Sequence, residues 1–96
     1  MADVDKLLRF MVEKRGSDLH IKTNAPPLIR IDGDLQKMKM PALSKERATE
    51  LIYEILPERH RREYEVMMDT DFTYQIEGLA RFRTNAYHDL QGPAMA

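Results

Sequence analysis

The chain has 96 residues, no cysteine and no tryptophan, and 43% of it is hydrophobic. That length suits one compact domain with a thin stability margin, and the lack of cysteine excludes a disulfide framework or a thiolate metal site. Fifteen basic residues against sixteen acidic ones leave a net charge of −1, which argues against a nucleic-acid-binding domain and gives no bulk attraction to an anionic membrane.

Val4, Leu7, Leu8 and Met11 recur at helical spacing, so residues 4–15 are predicted to form a helix, with Asp3 as its cap and Gly16 just past its end. The same stretch interleaves charge with apolar residues and so lacks the apolar run of a signal peptide. Nowhere does an apolar run approach the roughly 20 residues needed to span a bilayer.

Leu19 and Ile21 alternate with Asp18, His20 and Lys22, which is strand periodicity. Breakers from Asn24 to Pro27 separate this from a second strand at Leu28, Ile29 and Ile31. Asp32-Gly33 is a hairpin signal that Asp34 could lengthen, and a third strand returns over Asp34–Met38.

Ser44 is positioned as an N-cap, although Arg47 three residues on offers no reciprocal capping box. Ala48, Leu51, Ile52, Ile55 and Leu56 then mark a helix that Pro57 stops. Residues 58–67 read as a short charged helix anchored by Tyr64 and Met67. Phe72, Tyr74 and Ile76 alternate as a strand, Glu77-Gly78 turns, and Leu79–Tyr87 is a long strand. After a turn at Asp89–Gly92, residues 93–96 open one more strand. Helix, three strands, two helices and three strands specify an α+β domain with helices on one face of an antiparallel sheet.

The chemistry on offer is limited. Gly16, Gly33, Gly78 and Gly92 stand singly, so no loop can cradle a phosphate. His20, His60 and His88 fall in different elements without metal-ligand spacing, so no metal site is expected. His20 reads as a structural hydrogen-bonding residue, and Met38, Met40, Met67 and Met68 as core or interface filler. The run Arg59, His60, Arg61 and Arg62, flanked by Glu58, Glu63 and Glu65, reads as a solvated helix face with internal ion pairs.

One constellation stands out. Strand alternation sends Arg81, Arg83 and Asn85 to one face and Phe82, Thr84 and Ala86 to the other. Two guanidiniums about 7 Å apart beside an amide can receive a phosphate or carboxylate through paired hydrogen bonds. The competing reading is a solvated strand face whose arginines pair with acids such as Asp71 on the neighbouring strand.

Four blocks carry a family resemblance: LLRFMVEKRGSDLHI (Leu7–Ile21), APPLIRIDGDL (Ala25–Leu35), LIYEILPERHRREYE (Leu51–Glu65) and DFTYQIEGLARFRTNAY (Asp71–Tyr87). In this order they resemble the N-terminal domain of PilT-like type IV pilus retraction ATPases, within the wider secretion ATPase superfamily. The resemblance implies that residues 1–96 are a PAS-like domain, truncated before a RecA-like ATPase domain, in a cytoplasmic homo-hexamer lying at the inner membrane. It implies ATP and Mg2+ as cofactors of the full-length parent, none held by this fragment alone, and no catalytic residue in the fragment. It assigns contact with the nucleotide phosphates of a neighbouring subunit to Arg83 first and Arg81 second, with Asn85 shaping the site. The implied partners are the RecA-like domain of its own and the neighbouring subunit and the pilus inner-membrane platform protein. A truncated last strand would leave an open sheet edge through which the isolated fragment could dimerise. Two other readings stay open: a stand-alone PAS-like sensor with an apolar cavity behind its sheet, and a protein-interaction module with an exposed apolar patch.

Overall fold

The computed structural model describes residues 3–96. Its elements run α1 (Asp3–Glu13), β1 (Asp18–Lys22), β2 (Leu28–Ile31), β3 (Asp34–Lys37), α2 (Lys45–Ile55), α3 (Glu58–Met67), β4 (Asp69–Ile76), β5 (Ala80–Asp89) and β6 (Gly92–Met95). The strands form one sheet in the order β3-β2-β1-β6-β5-β4, with every neighbouring pair antiparallel. The helices pack on its inner face: α1 lies against β1 and α2, α2 over β6, and α3 along β4. This is the α+β arrangement that the element order predicts.

Each helix buries the stripe its spacing marks. Val4, Leu7, Leu8 and Met11 face inward from α1, and Ala48, Leu51, Ile52 and Ile55 from α2. They meet Leu19, Ile21, Ile29, Phe72, Ile76, Ala86 and Met95 from the sheet. Ser44 Oγ accepts from the Arg47 amide at 3.0 Å, so the cap is formed. Asp3 does not cap α1. Its carboxylate accepts from the Arg47 guanidinium at 2.5 Å, tying α1 to α2. That hydrogen bond is the main reason its pKa lies below the ordinary carboxylate value.

Helix α1 ends two residues earlier than its pattern suggests, because Arg15 turns left-handed and the Gly16 amide donates to Met11 O at 2.8 Å. Asp32 and Gly33 both have positive φ, which makes a two-residue primed turn, and Asp34 already pairs with Ile31 rather than lengthening the loop. The second helix pair needs a correction. Tyr64 anchors α3, but Met67 is exposed, as are Val66 and Met68. Met68 caps the helix in the left-handed conformation, its amide donating to Tyr64 O. Met40 is also exposed, so of the four methionines read as filler only Met38 packs against the core.

The position of β6 corrects a second expectation. It is a central strand, paired with β1 on one side and β5 on the other, and the outer edges belong to β3 and β4. A short last strand therefore leaves no outer edge.

Candidate functional site

The site is the outer face of the β4–β5 hairpin. Glu77, Gly78 and Leu79 turn the chain, and the register from Ile76↔Ala80 to Asp69↔Tyr87 follows from that turn. Phe72 and Ile76 of β4 and Thr84 and Ala86 of β5 are buried against the helices, with Tyr74 and Phe82 half-buried beside them. Alternation then fixes the outer face: Asp69, Asp71, Thr73 and Gln75 stand opposite Tyr87, Asn85, Arg83 and Arg81. The predicted grouping of Arg81, Arg83 and Asn85 on one face is present.

The two ends of this face differ. Asn85 Nδ2 donates to Asp69 Oδ1 at 2.7 Å, to Asp71 Oδ1 at 3.1 Å and to Thr70 O at 3.4 Å. One amide thus holds both carboxylates. Arg81 and Arg83 are exposed, and neither makes an ion pair or a side-chain hydrogen bond among the described residues. The acid suggested as an arginine partner, Asp71, bonds to Asn85 instead. Arg81 and Arg83 share a shallow depression of about 370 Å³ with Asp71, Phe72 and Thr73. Its floor is the hairpin and its free donors are guanidinium N–H groups. Such a donor set suits a phosphate or carboxylate and repels a metal cation.

Sequence reasoning did not assign Asp69 and Thr73 to the site. The signal for them was the length of the turn, since a three-residue connection sets which β4 residue faces which β5 residue. The other candidate groups do not converge. No cluster of three or more histidine or acidic side chains able to hold a metal occurs among the described residues. His20 is not hydrogen-bonded as expected: its Nε2 is buried without a partner among the described residues, and burial lowers its pKa, against the opposing pull of Asp18. In the Arg59–Arg62 run no ion pair forms among the described residues. Arg61 lies over the Tyr53 ring at 5.3 Å instead, and His60 Nδ1 meets Thr70 Oγ1 at 3.0 Å. No helix is long and apolar enough to cross a membrane among the described residues.

No protein-family model matches the chain. It is 38% identical over 90 residues to the type IV pilus retraction ATPase PilT of Pseudomonas aeruginosa, an alignment covering 94% of this chain and 26% of that protein. It is 31% identical over 68 residues to a twitching motility protein of Neisseria gonorrhoeae, covering 71% and 18%. Among solved structures, the pilus retraction motor PilT with bound ADP superposes with a TM-score of 0.87 at 30% identity, over 99% of this chain and 28% of that one. Fold and sequence agree on a class, the N-terminal domains of pilus motor ATPases. Within that class the chain matches the N-terminal domain of the PilT-like ATPases of type IV pilus retraction. It spans about a quarter or less of the length of the curated relatives it matches.

Proposed function

We propose that this chain is the N-terminal domain of a hexameric ATPase driving pilus retraction, cut ahead of a RecA-like ATPase domain, and that it offers Arg83 and Arg81 to the phosphates of a nucleotide bound by a neighbouring subunit. The observation that carries the reading is the pair of unpartnered guanidiniums on a rigid strand. Among the described residues no anion pairs with them, while Asn85 occupies the adjacent Asp69 and Asp71. Asn85 shapes the site by keeping those carboxylates from the arginines. Nucleotide and Mg2+ belong to the ATPase domain of the parent, because the residues here provide cations and no phosphate loop.

Positive charge beside a γ-phosphate stabilises the charge that develops there during transfer. Loss of that phosphate would release the domain, so hydrolysis becomes rigid-body rotation. The parent would work in the cytoplasm against an inner-membrane platform protein.

In the full-length parent, Arg83→Ala is expected to lower ATPase turnover by about a thousandfold or more, the usual loss for a transition-state arginine, with hexamer assembly intact by light scattering. Unchanged turnover in an assembled hexamer would overturn the assignment.

A further inference from the structure

The helical layer leaves part of the inner face of the sheet open. Helix α1 packs on β1, α2 on β6 and α3 on β4. At the far end, the β2–β3 hairpin and α1 enclose a groove of about 630 Å³. Phe10, Ile29, Ile31, Met38 and Met40 supply its apolar lining. Phe10 and Met40 stay 39% and 43% exposed, while Ile29 is buried at the bottom. The wall beyond β3 is fixed, because the Met38 amide donates to Pro27 O at 2.9 Å and the Met40 amide to Met38 O at 2.8 Å. The groove is therefore already formed. It lies on the opposite face of the sheet from Arg81 and Arg83.

The charge of the groove has one sign. Lys14 lines it from α1, and Lys37 and Lys39 line it from the β3 side. No acidic side chain lines it, and none of the three lysines forms an ion pair among the described residues. Lys14 stands over the Phe10 ring at 5.6 Å instead. In a chain of net charge −1, this is a local basic rim around an apolar floor. Two strands side by side make a strip about 10 Å wide, which is the diameter of an α-helix. A strand fits less well, since β3 is a four-residue edge whose side chains are all exposed and include Asp34 and Lys37, the kind of edge that resists strand addition. A flat membrane fits less well too, because the apolar lining is recessed between walls rather than raised above them.

We propose that this groove docks an amphipathic helix of a separate partner protein, its apolar stripe on Phe10, Ile31 and Met40 and its acidic flanks on Lys14, Lys37 and Lys39. Such a helix extends the helical layer over the hairpin that α1, α2 and α3 leave open. The unbranched side chains of Met38 and Met40 adapt to the stripe they receive. Ammonium groups on both walls select glutamate or aspartate on both flanks and reject a basic helix. The exposure of Met40 then has a use, as contact surface rather than core. The inference rests on neither the nucleotide nor the arginine role.

The test titrates the 96-residue chain with labelled helical peptides about five turns long. One has a leucine stripe at i, i+3, i+4 and i+7 flanked by glutamates. A second has the same stripe flanked by lysines, and a third scrambles the first. Fluorescence anisotropy should show the glutamate peptide binding about tenfold or more tighter than either of the others, with amide shifts centred on Phe10, Ile31 and Met40. Lys37→Glu combined with Lys39→Glu should reverse the preference toward the lysine peptide, a gain that misfolding cannot produce. Phe10→Ser should weaken both striped peptides, and Arg83→Ala neither. No binding of the glutamate peptide, equal binding of the two striped peptides, or a preference that survives the double reversal overturns the proposal. Capture by phosphatidylglycerol vesicles without peptide binding overturns it too, and marks a lipid surface instead.

Discussion

The two faces of the β4–β5 hairpin share one backbone and answer to different demands. Inward, Phe72, Ile76, Thr84 and Ala86 are held by helices, and every position is set by packing. Outward, Asn85 satisfies itself on Asp69 and Asp71, while Arg81 and Arg83 form no ion pair among the described residues. The inner face explains why the hairpin is rigid. The outer face carries two guanidiniums exposed to solvent. A residue whose interactions close inside the domain contributes to its stability, and one whose interactions stay open contributes little to it.

That contrast can be broken at several places. Phe72→Ala should be the most damaging change to the fold, at about 3–5 kcal/mol by urea denaturation, since it empties the centre of the inner face.

High pH should act next on the same side of the sheet, through Tyr74 of β4 and Tyr64 of α3. Burial, the first cause for both, pushes the Tyr64 and Tyr74 phenols up to about 12 from the ordinary 10.0, and for Tyr74 the bond to Asp5 at 2.5 Å adds to it. A phenol whose folded pKa is raised stabilises the fold in full below the unfolded value. That contribution is lost as pH rises from 10.0 to about 12. Denaturation midpoints should therefore fall across that window, and Tyr74→Phe should flatten the fall.

Asn85→Ala should cost about 1 kcal/mol, because Asp69 and Asp71 lose the donor they share. It should also let Asp71 compete for Arg83, giving a new ion pair detectable from the Arg83 side-chain NMR signal. Arg81→Ala and Arg83→Ala should change stability least, within about 0.5 kcal/mol. A loss near 2 kcal/mol from either arginine would mean that its interactions close inside the domain after all.

Much of this was legible in the chain. Helical spacing marked α1 and α2 because their apolar stripes meet a single core. The Asp32-Gly33 turn was legible because two consecutive positive φ angles need such residues. Alternation from Arg81 to Ala86 put the arginines on one face. What remained hidden was long-range. Met67 lies at a helical interval from Tyr64 yet is exposed, and spacing alone does not show where a short helix leaves the core. The place of β6 in the sheet could not be read, since four residues do not say which strands flank them. For the same reason an open edge is expected at β6, when the outer strands are β3 and β4. The pairing of Asn85 with two aspartates needed the register, which strand periodicity alone does not supply.

The central claim is that Arg83 acts on a nucleotide held by another subunit. Mixed hexamers of the full-length parent test it most directly: one subunit type carries Arg83→Ala with an intact ATPase domain, the other an intact Arg83 with a disabled phosphate loop. Neither alone should turn over ATP appreciably. Mixing them should restore hydrolysis, because the second type lends its arginine to the first. Mixed rings that assemble and remain inactive would contradict the account.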